Sequence, residues 1–402
     1  MKNNQEISLN NIDPDNDAYN DFYASVSVLF RIASFIFLVA FLIFIVYSAF
    51  GSQEAITYDN LEYLVRNFAL TLDENRDDSV YAIRYNPDSS RSFALVGNKF
   101  ALCGNSGIAI YSSTGRQTCS DSFAFKNPIM VTSDKYALIY DSGNFDLVIY
   151  NSFTKVHSQT LSKPIRGACM SQSGYYAVIT SSNDYNSTVE VYDADFKLIN
   201  RFNKNGYVVD VDMRDDRILI TTVEGSDDYT SYDLQMLVYD IAEDKTVSSV
   251  ELTASFPLSC KMSSSGFFLI CKDEAIIYDI SGEKSNVLSY NGSILADFDL
   301  TYDTAVILLD ESRYDISFSL TALDGNAAVL YEYNIDFTVH DIELCGNTSC
   351  LLMDNQVLVL NAEIENIISV DGLTTDCQLL ACDTKTLYLC TNTAAPLIDI
   401  AD

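Results

Sequence analysis

Three rhythms of hydrophobic and polar positions follow one another along the chain. The first is unbroken. From Ile32 to Phe50 there is no charged side chain, and Ile, Leu, Val and Phe dominate the run. As a helix it spans roughly 28 Å, close to the hydrocarbon thickness of a bilayer. The preceding residues are acidic and Asn-rich, and YSAFGSQEA is a poor small-residue cleavage site, so the run is expected to be an uncleaved signal anchor. Arg31 at its edge biases the N-terminus towards the cytoplasm and leaves everything after residue 50 outside. The second rhythm is helical: Leu61, Leu64, Val65, Phe68, Ala69 and Leu72 recur on one face of a short amphipathic helix. This gives a cytoplasmic tail over 1–30, a transmembrane segment over 31–50, a linker with its helix over 51–77, and a domain over 78–402.

From Tyr81 onward the third rhythm is that of strands, and it repeats. CMSQSGYYAVIT, VDMRDDRILITT, CKMSSSGFFLIC and FDLTYDTAVILL, beginning at Cys169, Val211, Cys260 and Phe298, each read as strand, tight polar turn, strand. A second mark is an apolar-Tyr-Asp ending, or a variant of it, at Tyr111, Tyr150, Tyr192, Tyr239, Tyr278, Leu323, Leu360 and Ile398. Its spacing is that of a four-stranded propeller blade, and the β-branched and aromatic strands exclude helical repeats of similar period. The expected fold is all-β: a β-propeller of eight four-stranded blades, with seven as the alternative. The last unit has material for three strands only. SVYAIRYN, residues 79–86, is expected to supply the fourth and so remove an open sheet edge.

An anchor, a short helix and apolar-Tyr-Asp blades together resemble a family of uncharacterised single-pass bacterial proteins with an extracytoplasmic propeller, known only as a domain of unknown function. WD and quinoprotein propellers are more distant in resemblance. Their tryptophan-centred motifs are missing, because the chain has no Trp. The resemblance implies a tethered propeller outside the cytoplasm and carries no activity with it.

Charge narrows the partners. A formal net charge of −32 makes nucleic acid and anionic surfaces poor ligands. Of the ten cysteines, most sit singly in apolar strands, where a buried reduced thiol is the commoner state; only Cys345 and Cys350 have hairpin spacing suited to a local cross-strand bridge. The two histidines, His157 and His340, fall on an outer strand and at the start of an inner one, which disfavours nucleophilic triads and multi-histidine metal centres. No phosphate-binding glycine motif occurs, and no cofactor is expected. Asp210-x-Asp212, with Asp215 and Asp216, and Asp193-x-Asp195 resemble fragments of calcium loops but read as solvated acidic turns.

The remaining signal is loop length. Expansions between second and third strands at 181–187, 224–235 and 310–317 bring out Asp184, Tyr185, Asp227, Asp228, Tyr229, Tyr232, Asp233, Arg313, Tyr314 and Asp315. Such loops share one face of a propeller, so these residues are expected to form an acidic, tyrosine-bearing crown that binds a protein partner. The functional expectation is a membrane-anchored binding or scaffold module at the cell envelope. The alternative is a carboxylate enzyme acting on envelope polysaccharide, which clustered Asp and Glu in the channel would favour.

Overall fold

A computed structural model describes residues 25–39, 41, 63, 65–67, 82–85, 91–226, 231–312, 315–370, 377–381 and 385–400. The chain divides into two compact units, Met1–Val65 and Arg66–Asp402. In the first, residues 25–39 are helical and expose apolar side chains including Phe35, Ile36 and Phe37. Among the described residues, no helix is long and apolar enough to cross a membrane. Residue 40 and residues 42–50 of the expected anchor lie outside them. Of the expected linker helix, residues 63 and 65–67 are described, and they are helical.

The second unit contains eight four-stranded antiparallel sheets, an eight-bladed propeller. The blades open with strands Arg91–Val96, Pro128–Thr132, Ile165–Met170, Tyr207–Arg214, Pro257–Met262, Ile294–Leu300, Asp341–Cys345 and Gln378–Ala381. Most of these first strands pack beside the first strand of an adjacent blade, which makes them the innermost strands around the axis. In the eighth blade the outermost strand is Ala82–Arg84, paired with Ala394–Asp399 in the register Ala82↔Pro396 to Arg84↔Ala394. The N-terminal strand therefore closes the last blade. Ile83 is buried, and the Tyr85 hydroxyl donates to the carbonyls of Thr391 and Ala394 at 2.7 and 2.9 Å.

The core is a ring of wedges. Each of eight buried apolar clusters lies between two neighbouring blades; Phe100 of blade one against Tyr388 of blade eight, 5.1 Å between ring centres, belongs to the closing one. Middle strands are covered on both faces, which is why YALIYD and GFFLIC read as continuous apolar runs and are buried throughout. Outer strands such as Lys155–Thr160 alternate instead.

The apolar-Tyr-Asp mark has a structural cause in this geometry. Its tyrosine is a wedge: Tyr192 stacks on Tyr176 at 4.6 Å and Tyr278 on Phe267 at 5.0 Å. The following Asp or Asn seals the turn into the outer strand. Asn151 Oδ1 accepts the N–H groups of Phe153 and Thr154, Asp193 Oδ1 those of Asp195 and Lys197, and Asp324 Oδ1 those of Asn326 and Ala328. Asp193-x-Asp195 is thus half of a sealed turn.

Candidate functional site

Two features of the ring concentrate polar chemistry. The first is the channel. Asp210, Asp212, Asp297, Asp299, Asp341 and Glu343 all lie on innermost strands, those of blades four, six and seven, and all are half-buried. An innermost strand has a sheet partner on one side only, so its other edge offers unpaired N–H groups. The carboxylates take them. Asp210 Oδ2 accepts Cys260 N at 2.7 Å and the Ser259 hydroxyl at 3.2 Å, while Asp212 Oδ2 accepts Met262 N at 2.8 Å. Asp299 Oδ2 accepts Leu344 N at 2.7 Å, and Asp297 binds the N–H of Ile342. Asp341 Oδ2 accepts Leu379 N at 2.6 Å and Glu343 Oε1 accepts Ala381 N at 2.8 Å. Acids two residues apart on one strand thus engage alternate N–H groups on the next blade's strand, at three junctions of the ring. Lys261 in blade five, between two of the acid-bearing blades, donates to the Leu300 carbonyl at 2.6 Å.

Crowding carboxylates into the channel wall costs them solvation. Burial pushes Asp210 and Asp341 up to about 6, and raises Asp212 and Asp297 as well. Glu343 is raised by burial and then by the charges of Asp299 and Asp341, which outweigh the Ala381 N–H and Lys261. Such shifts also suit acid–base catalysis. Here, however, the carboxylates spend oxygens on the backbone: Asp210 and Asp299 have their second oxygen on Val211 N and Leu300 N. Asp210-x-Asp212 therefore corrects the expectation of a solvated turn, because it is strand rather than loop. Among the described residues, no group of three or more His, Cys, Asp or Glu is arranged to hold a metal ion. His157 stacks on Phe196 at 4.8 Å and His340 Nε2 lies 2.7 Å from Asp354, far apart in the fold as their strands required.

The second feature is a groove of about 700 Å³ at one end of blades three and four. Blade four is the largest, with second, third and outer strands Arg217–Gly225, Tyr232–Asp240 and Lys245–Ala254. In its expected loop at 224–235, residues 224–225 and 232–235 are hairpin strand, since Glu224 pairs with Asp233 and Gly225 with Tyr232. The groove is bounded by Lys204, Glu224, Asp233, Gln235 and Glu251. Lys204 Nζ donates to Gln235 Oε1 at 3.2 Å, and Gln235 Nε2 donates to Glu251 Oε1 at 3.3 Å. Burial lowers the Lys204 pKa. Gly206 lets the blades close here: a Cβ would stand 2.9 Å from the Glu224 side chain and 3.0 Å from the Val223 carbonyl.

The expected crown is placed in parts. Asp184 and Tyr185 are exposed in the loop 181–186 of blade three, and Asp315 is exposed in that of blade six. Asp233 borders the groove, with Oδ1 accepting the Thr253 hydroxyl. Tyr232 is on a strand, half-buried, its ring 5.2 Å from that of Phe256. Asp227, Asp228, Tyr229, Arg313 and Tyr314 lie outside the described residues. Loop length alone missed an apolar rim on the same face. Ile129, Tyr207, Phe256, Leu258, Ile294 and Phe337 are exposed where the chain enters inner strands. Arg166 lies over the Tyr207 ring, 5.9 Å from its centre. Large apolar residues at the polar start of an inner strand were the available signal.

Comparison with known proteins fixes the fold. The computationally designed Ika8 protein superposes with a TM-score of 0.59 at 11% identity, over 80% of this chain and 100% of that one. The C-terminal WD40 domain of Sif2 gives 0.57 at 11%, over 81% and 98%, and BamB from Moraxella catarrhalis 0.52 at 14%, over 80% and 96%. No curated protein matches the chain. Residues 76–371 match the family of unknown function DUF5711, and the chain belongs to that family.

Proposed function

We propose that this protein is a membrane-anchored, extracytoplasmic binding or scaffold module, and that its recognition surface is the face carrying the groove and the apolar rim. The observation that carries the reading is their coincidence on one face: Tyr207, Leu258 and Ile294 are exposed at the starts of the innermost strands of blades four, five and six, on the face of a groove with Glu224, Asp233 and Glu251. Exposed apolar residues rimmed by charge are the composition of a protein interface. On the opposite face, Lys99 Nζ donates to Asn67 Oδ1 at 2.8 Å. The partner fitting an acidic groove is a protein with a basic and apolar surface. The apolar run Ile32–Phe50, part of it a helix with exposed apolar side chains, supports the anchor.

Photocrosslinkers at positions 207 and 258 of the full-length protein in intact membranes should trap a partner, whereas one at position 195, on the far face, should not. Glu224→Lys with Glu251→Lys should weaken the capture. Crosslinks confined to position 195 would overturn the surface assignment. Protease added to intact cells should digest residues beyond Gly51 and spare an N-terminal tag; the reverse pattern would overturn the localisation.

The six channel acids support a second reading, a carboxylate enzyme acting on envelope polysaccharide. Release of reducing ends from cell-wall glycan that is lost in Glu343→Gln would favour it, and no release by the wild-type protein would set it aside.

A further inference from the structure

We infer that Cys345 and Cys350 are a built disulfide site that locks the first hairpin of blade seven when the protein meets a disulfide oxidant. The hairpin joins Asp341–Cys345 to Thr348–Leu352 through Gly346, whose φ of 65° sets the turn. The register pairs Glu343 with Cys350 and Cys345 with Thr348. The two cysteines are therefore diagonal neighbours on one face of the hairpin, the face that meets blade eight. Their sulfurs lie 3.8 Å apart, and both residues are buried, at 1% and 0% exposure.

A disulfide needs a sulfur separation of about 2.05 Å, so less than about 2 Å remains to be closed, by χ1 adjustment together with a small shift of the two strands at this diagonal position. Among the other described cysteines, Cys103, Cys119, Cys169, Cys260, Cys271 and Cys390 lie in other wedges, and Cys377 joins the same cluster from the neighbouring blade. The chemistry balances with a small-molecule disulfide such as oxidised glutathione. One thiolate attacks it, releasing one molecule of reduced glutathione and leaving a mixed disulfide. The second thiolate displaces the other molecule. The protein loses two protons and two electrons, and the oxidant is reduced to two thiols. Because both sulfurs are buried, exchange proceeds through local opening of the hairpin and is slow in the native ring.

The test uses the full-length protein in detergent, incubated with oxidised glutathione over a day, quenched with an alkylating agent and cleaved before aspartates. Peptide 341–353 carries both cysteines. It should change from doubly alkylated to unalkylated and two hydrogens lighter, and the thermal midpoint should rise by roughly 3 °C. Cys377→Ser should leave this result intact, while Cys350→Ser should yield a glutathione adduct on Cys345 instead. A peptide that stays doubly alkylated, a bridge that maps to Cys377, or a lowered midpoint on oxidation would overturn the inference.

Discussion

The innermost strands of blades four, six and seven differ from the other five. VVDVDM, ILADFDL and DIELC carry six carboxylates; RSFALV, PIMVT, IRGACM, PLSCKM and QLLA carry none. The problem is the same everywhere, since every innermost strand has one edge without a sheet partner. In the acidic arc, side-chain oxygens of one blade bind the backbone N–H groups of the next. Elsewhere the junctions use other means, such as the Tyr140 hydroxyl at the backbone of Ala168 and Lys261 at the Leu300 carbonyl. The difference teaches that an acid cluster in a propeller channel is first a way of sealing strand edges.

The largest effect expected from breaking the arc is at the junction of blades seven and eight. Asp341→Ala with Glu343→Ala leaves the N–H groups of Leu379 and Ala381 without their acceptors, at about 1–3 kcal/mol each. Asp341→Asn with Glu343→Gln keeps an acceptor at each place and should cost far less. Gln378→Ala, at the matching place in blade eight, should stay within about 0.5 kcal/mol. Urea unfolding of the three variants separates loss of the acceptor from loss of charge.

A smaller effect concerns pH. Asp210 and Asp341 have folded pKa values near 6, above the usual carboxylate range, so the folded state holds more protons than the unfolded one between about pH 4 and 6. Stability from these groups therefore falls as pH rises through that window, and Glu343 extends the fall upward. The thermal midpoint should be higher near pH 5 than near pH 8. Asp210→Asn with Asp341→Asn should flatten the lower part of the slope, and Glu343→Gln the upper.

The smallest effect sharpens the contrast with acids and tyrosines outside the channel. Tyr185→Ala and Asp315→Ala, at exposed loop positions, should change stability by less than about 0.5 kcal/mol, while Tyr232→Ala should cost about 1 kcal/mol through its contact with Phe256. Thermal melts of the single variants decide it.

Blade number and ring closure were legible because burial on both faces writes continuous apolar strands, and because each Tyr-Asp ending performs the same wedge and turn-sealing task. Residues 82–84 could be assigned to the last blade since that blade lacked a strand. The channel was not legible. Asp210-x-Asp212 looks the same in sequence whether it solvates a turn or caps the edge of a neighbouring strand some fifty residues on, and only the closed ring brings Cys260 and Met262 beside it. The long hairpin of blade four was read as loop because Ser, Asp and Tyr are common at exposed strand ends as well as in turns. The apolar rim went unnoticed because its members are scattered between residues 129 and 337.

Amide hydrogen exchange at the N–H groups of Cys260, Met262, Leu344, Leu379 and Ala381 tests the central claim most directly. These amides should exchange as slowly as those of the paired middle strands, and Asp212→Ala should accelerate Met262 selectively while leaving Leu379 unchanged. Fast exchange at all five in the wild-type protein, or an Asp212→Ala variant with an unaltered Met262 amide, would contradict the carboxylate seal.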